Sequence, residues 1–144
     1  MIAALNEKSS DLNPQTFSEA EALLRHVESL CMPWNVDAMA EGFTEDCIAR
    51  FGLLPEMHGR EAIREFFLKR SMRQKNYKLR KSLRAMMGST LAMDWTGTWE
   101  DAETGVAMQG HGVEIWQLRA GKLAVWEAAF NISKKNSSDN LAIV

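Results

Sequence analysis

Six side chains in the last third of this chain are of types that can build a reaction site: Trp95, Trp99 and Trp116, the carboxylates Glu114 and Glu127, and the amide Asn131. Indole rings supply apolar walls of fixed shape. A carboxylate held among them is desolvated, which moves its pKa toward neutrality and suits it to take and return protons. No phosphate loop, dinucleotide fingerprint or nucleophile motif is present to compete with that chemistry. The predicted site residues are therefore Glu114 and Glu127 as acid/base groups, with Trp95, Trp99, Trp116 and Asn131 lining a pocket for a small apolar or aromatic molecule.

Whether the six share a face depends on strand register, because side chains alternate and hairpin turns set the pairing. If Asp101 pairs with Val106, then Trp99 lies opposite Met108, Trp95 opposite Gly112 and Met93 opposite Glu114. If Leu118 pairs with Leu123, then Trp116 lies opposite Val125, Glu114 opposite Glu127 and Gly110 opposite Asn131. Directly opposed Cβ atoms are ~5 Å apart, and two negative charges there repel by about 3 kcal/mol, roughly two pKa units. Either one glutamate then holds a proton near neutral pH, or an arginine lies between them. Arg80 and Arg84 are the candidates if the turn spans residues 87–90; the other turn length brings Leu79 and Leu83 to that face instead. Gly97, Gly110 and Gly112 read as bend or bulge positions that let the sheet curl. His111 falls on the opposite face.

These strands need a scaffold, and the preceding residues supply it. Residues 1–14 are polar and aperiodic and read as a flexible arm. Thr16 or Ser18 can cap a helix, with Glu19 or Glu21 three residues on and apolar positions at Ala20, Leu23, Leu24, Val27, Leu30 and Cys31. Pro33 ends it. Asn35 caps a short second helix through Val36, Met39 and Ala40 that stops at Gly42, and residues 47–51 fit a brief strand. Gly59 opens a third helix with Ile63, Phe66, Phe67 and Arg70 on one stripe, and with Arg60, Glu61, Arg64, Glu65 and Lys69 facing water. Runs at residues 77–85, 90–100, 107–118 and 122–131 then alternate with a period of two, separated by short turns. Helices first and a meander afterwards predict an α+β domain over residues 15–132, with residues 133–144 as a flexible tail.

Composition narrows the function classes. A chain of 144 residues that is 46% apolar can bury one core without staples. The net charge of −2, with both signs mixed, gives no footprint for nucleic acid or an anionic membrane. Residues 1–5 are too short a start for a signal peptide, and no run approaches a membrane span, so a cytoplasmic protein is expected. Cys31 and Cys47 have neither redox nor zinc spacing, and His26, His58 and His111 are scattered. No metal and no cofactor is predicted.

Three motifs in order, Phe43-Thr44-Glu45-Asp46-Cys47, Gly59-Arg60-Glu61-Ala62-Ile63, and Gly112-x-Glu114-x-Trp116 followed by Gly121-Lys122-Leu123, resemble the SnoaL-like branch of the nuclear transport factor 2-like superfamily across residues 17–132. The resemblance implies a cone-shaped α+β barrel of three N-terminal helices on a curved, mostly antiparallel sheet. It also implies a cavity between the layers and a homodimer through the sheet. Family members include polyketide cyclases, ketosteroid isomerase and scytalone dehydratase. In the cyclase-type members an acid near the end of the last strand does the proton work. The matching position here is Asn131, and an amide cannot shuttle a proton, so Glu127 or Glu114 would have to replace it. Two functions follow: a cofactor-free isomerase, cyclase or dehydratase for a small apolar carbonyl compound, or a non-catalytic ligand-binding or dimerisation module in which Arg80, Arg84 or Arg50 pairs with the glutamates.

Overall fold

The computed structural model describes residues 12–137. Most of the predicted N-terminal arm and the end of the predicted tail therefore lie outside the described residues. Helix α1 spans Phe17–Ser29, and the Thr16 hydroxyl accepts from the Glu19 amide as its cap. The Glu19 carboxylate reaches back to the Gln15 amide rather than to Thr16. Helix α2 spans Val36–Glu41, with the Asn35 side chain accepting from the Ala38 amide and Gly42 closing it. Helix α3 spans Arg60–Arg73 and follows Gly59, whose φ of 87° is a backbone conformation that favours glycine.

Six strands form one sheet: β1 Phe43–Phe51, β2 Met57–His58, β3 Gln74–Met87, β4 Thr90–Asp101, β5 Ala107–Arg119 and β6 Lys122–Lys134. Their order is β2-β1-β6-β5-β4-β3, so the sheet is unclosed and β2 and β3 are its edges. All neighbours are antiparallel except β1 and β6, which run parallel. The expected brief strand at residues 47–51 is longer because β6 offers it a partner back to Phe43.

The β4–β5 hairpin has the derived register: Trp99 opposite Met108, Trp95 opposite Gly112, Met93 opposite Glu114. The other two hairpins depart from simple counting through extra residues, one in β5–β6 and two in β3–β4, the second of these between Lys75 and Lys78. In β5–β6, Leu118 pairs with Leu123 as derived, but Gln117 pairs with Val125, leaving Ala124 as a bulge. Every residue of β6 beyond it is displaced by one position, so Glu114 faces Ala128, and Glu127 sits beside Ile115. In β3–β4, Met87 pairs with Thr90, the turn that would have put Arg80 and Arg84 inside. The register then shifts at Arg84, and Leu83 pairs with Met93, Lys81 with Trp95 and Leu79 with Gly97. A one-residue slip exchanges the two faces of a strand.

Gly97, Gly110 and Gly112 are not bulge positions: the β4–β5 ladder runs unbroken past all three. They allow close approach instead. A Cβ on Gly110 would lie 3.1 Å from the Trp95 ring, and one on Gly112 would lie 2.3 Å from the Ala129 carbonyl oxygen.

The helices cover the inner face of the sheet, where an apolar core joins Leu24 of α1, Ile63 and Phe67 of α3, and Met93, Trp116 and Trp126 of the strands. Arg60 and Arg64, expected in water, fold back: Arg60 donates twice to the Phe43 carbonyl at 3.0 and 2.7 Å, and Arg64 pairs with Asp37. Among the described residues no helix is long and apolar enough to cross a membrane.

Candidate active site

A cavity of about 260 Å³ lies between the helices and the inner face of the sheet. Its walls are chiefly aromatic and aliphatic, including Phe43, Phe67, Tyr77, Trp95, Trp116 and Trp126. Glu41 and Lys122, 4.0 Å apart, stand among its exposed lining residues. Three charged side chains reach the interior: Lys81, Glu114 and Arg70.

Glu114 and Lys81 form a buried pair. Their side chains are 4% and 5% exposed, and Lys81 Nζ donates to Glu114 Oε1 at 2.8 Å. Trp116 Nε1 donates to the other oxygen, Oε2, at 2.7 Å, so both oxygens of the carboxylate are held. The Lys81 ammonium also stands 5.4 Å from the Trp116 ring, where the π face favours a cation.

Lys81 points inward because α1 fixes the backbone of edge strand β3. An edge strand leaves amides and carbonyls unpaired, and buried ones need partners. The Lys81 amide donates to Glu28 Oε1 at 2.6 Å, and the Lys81 carbonyl accepts from the Arg25 guanidinium. Glu28 is itself buried and lies 3.1 Å from Arg25 and 3.6 Å from Arg80. One helix thus closes the sheet edge and aims the ammonium group at Glu114.

Arg70, from the inner stripe of α3, sits in an aromatic cage. Its guanidinium carbon lies 5.2 Å from the Trp34 ring, 5.3 Å from Phe51, 5.7 Å from Phe66 and 5.5 Å from Tyr77. Gln74 Oε1 accepts from Arg70 Nε at 2.7 Å, and the Tyr77 hydroxyl accepts from Nη2 at 3.3 Å. Burial raises the Tyr77 phenol above its ordinary range, opposed by the neighbouring guanidinium. Burial likewise pushes the Cys31 thiol up to about 11, against the pull of Arg70 and Lys81. Both groups are neutral at physiological pH, and a neutral thiol is a poor nucleophile.

Of the predicted site residues, Trp95, Glu114 and Trp116 border the cavity together. Trp99 is buried beside Tyr77, with ring centres 5.9 Å apart, and packs the core rather than the cavity wall. Glu127 and Asn131 face the other way because of the Ala124 bulge; Glu127 lies 3.5 Å from Arg50, and Asn131 is exposed opposite His111. The two glutamates are therefore not neighbours and share no proton. Arg80 and Arg84 point outward because of the Arg84 bulge, toward Glu28 and Asp94 respectively. Lys81 was missed because it follows Arg80 in the charge-rich run of residues 78–84, which reads as solvated. Arg70 was placed on the inner stripe of its helix, and a cation in an apolar stripe was the available signal.

Residues 13–141 match one family, described as Protein of unknown function (DUF1348). No curated protein matches the chain. Among solved structures it is similar to the epoxide hydrolase/cyclase-like enzyme SalBIII, described in pyran ring formation in the polyether salinomycin. That likeness has a TM-score of 0.65 and 19% identity, covering 80% of this chain and 92% of that one. A candidate polyketide cyclase from Xanthomonas campestris pv. campestris gives a TM-score of 0.67 at 20% identity, over 78% of this chain and 90% of that one. An NTF2-like protein of unknown function from Exiguobacterium sp. 255-15 gives 0.58 at 19% identity, over 66% and 81%. At these identities the likeness is one of fold: the α+β cone of the SnoaL-like and nuclear transport factor 2-like proteins.

Proposed function

The chain belongs to this DUF1348 family, and we propose that it binds a small, largely apolar carbonyl compound in the cavity and moves a proton on it without a cofactor, as an isomerase, cyclase or dehydratase does. The observation that carries this reading is the buried Lys81–Glu114 pair on the wall of a chiefly apolar hollow. A cavity near 150 Å³ holds one benzene ring, so this larger one has room for a one- or two-ring molecule. Glu114 takes a proton from the carbon next to the carbonyl, that C–H pair becomes a C=C bond, and the negative charge moves to the carbonyl oxygen. Lys81, released from a carboxylate that is now neutral, faces the new oxyanion. Returning the proton to another carbon isomerises the compound. Attack of the enolate on a second carbonyl closes a ring, with the proton passing to the alkoxide formed. Trp95 and Trp116 serve as walls. Cyclase and cyclase-like proteins among the structures of similar fold support the reading.

A second reading has its own observation. Both Glu114 oxygens already accept hydrogen bonds, as in a group that only holds the sheet together. Exchange of α-protons in deuterated water, followed by proton NMR on 2-tetralone, separates the two. Wild type is expected to accelerate exchange, and Glu114→Gln to lose roughly 100-fold or more of that acceleration while keeping its circular dichroism. Equal exchange by the two proteins overturns the catalytic reading. Absence of any acceleration or binding across a panel of cyclic ketones overturns the pocket reading as well.

The outer face of the sheet exposes Val113 and Ile115, which supports a homodimer formed through it. Sedimentation velocity checks this, with Ile115→Lys expected to yield monomer. Free buried thiols at Cys31 and Cys47 fit a reducing, cytoplasmic setting.

A further inference from the structure

Every arginine of this chain except one makes an ion pair with a carboxylate. The exception is Arg70, the one arginine on the cavity wall, and among the described residues no carboxylate lies within 4.0 Å of its nitrogens. A guanidinium carries five N–H donors. Two are used, by Gln74 Oε1 and the Tyr77 hydroxyl, and both acceptors are neutral. The four surrounding rings compensate the faces of the guanidinium plane but accept nothing from its edge. With Nε and one Nη2 hydrogen taken, the Nη1 pair and one Nη2 hydrogen remain, so each terminal nitrogen keeps a donor for an end-on fork.

The charges inside the cavity agree. Lys81 and Glu114 neutralise each other, which leaves the positive charge of Arg70 without a carboxylate partner among the described residues. The ring cage holds the fork rigid, and Gln74, 9% exposed, fixes its rotation; the Gln74 backbone carbonyl accepts from Trp34 Nε1 at 3.3 Å. A preorganised planar fork matches a carboxylate with two parallel hydrogen bonds. A single guanidinium among aromatic walls does not replace the hydration of a phosphate dianion.

We propose that the compound taken by this cavity is a small aromatic or alicyclic monocarboxylate, and that Arg70 holds its carboxylate end-on. This rests on the reading that the cavity takes a small molecule, and it adds the class of that molecule. The carbonyl compound on which Glu114 acts is then a keto acid, anchored at one end by Arg70 and presented to Glu114 at the other.

The test is calorimetric titration with phenylacetate and 2-naphthoate against their neutral primary amides, which keep the shape and lose the charge. Wild type is expected to bind each acid roughly 10–100-fold more tightly than its amide. Arg70→Gln should bind acid and amide alike, and Arg70→Lys, which keeps the charge without the fork, should fall between them. Glu114→Gln should keep the preference for the acid. Amides binding wild type as well as the acids, or Arg70→Gln retaining the preference, overturns the proposal and leaves the cavity reading standing. Failure of every acid and amide to bind overturns both. If Arg70→Gln does not fold, the acid-to-amide ratio of wild type and the intermediate value for Arg70→Lys decide the matter.

Discussion

The strongest consequence of the structure concerns the energy stored in the pair of Lys81 and Glu114. At 2.8 Å and an effective dielectric of about 20, the two charges attract by about 6 kcal/mol. Against this stands the lost hydration of two ions, several kcal/mol each, so the intact pair contributes little net stability relative to an apolar pair of similar volume. Removing one partner is different. Lys81→Met leaves a carboxylate that is 4% exposed with only Trp116 Nε1 as donor, and the expected cost is about 3–5 kcal/mol. Glu114→Leu strands the ammonium and should cost a similar amount. The double variant restores neutrality and should lie within about 1 kcal/mol of wild type. Urea unfolding followed by tryptophan fluorescence gives all four corners of the cycle, with an expected coupling of roughly 3 kcal/mol or more. Single variants costing under about 1 kcal/mol, or costs that simply add in the double variant, would refute a desolvated, mutually dependent pair.

Three further outcomes follow from the geometry. Arg73 Nε at 2.7 Å and the Thr104 hydroxyl at 2.8 Å hold the Asp101 carboxyl below its ordinary range, so the stability it contributes is present above the unfolded-state pKa of 3.8 and lost as the pH falls through the lower folded value; the gap in urea midpoint between wild type and Asp101→Asn should close on acidification. The Cys31 thiol, raised by burial to about 11, should react with iodoacetamide far more slowly in the native protein than in urea at pH 8, and the stability it contributes should decline above its ordinary value of 9.0. Gly112→Ala would place a Cβ 2.3 Å from the Ala129 carbonyl oxygen and 2.7 Å from the Phe130 Cβ, and should lower stability by about 1–3 kcal/mol in thermal unfolding.

Local signals were legible wherever the physics is local. The Asn35 cap, the stop at Gly42, and the stripe of Ile63, Phe66, Phe67 and Arg70 depend on residues within a turn or two of one another and appear in the structure as read, and of the two caps offered for the first helix, Thr16 and Ser18, the structure uses Thr16. The β4–β5 register was derived correctly because its turn, closed by the Asp101 amide donating to the Val106 carbonyl at 2.9 Å, leads into an unbroken ladder. Trp95, Glu114 and Trp116 on one wall follow from that hairpin and from alternation along β5.

Residues of the other two hairpins resisted the same reasoning for one cause. The turns were counted correctly, at Leu118 with Leu123 and at Met87 with Thr90, yet Ala124 and Arg84 each bulge out of the ladder and reverse the faces beyond them. A bulge costs little locally and carries no strong residue signature, so its position is decided by which register lets the whole sheet bury its apolar face against the helices. With Ala124 bulged, Trp126 and Ala128 go inside while Glu127 and Asn131 meet solvent and Arg50. With Arg84 bulged, Leu79 and Lys81 enter the core, while the exposed Arg80 and Arg84 side chains reach Glu28 and Asp94. Chain order and residue type thus determined the helices, the meander and one acid among indoles. Only the tertiary structure, by weighing burial across the whole layer, decided that this acid is partnered by Lys81 from an edge strand that α1 holds in place, and that Arg70 is the arginine left without a carboxylate partner among the described residues.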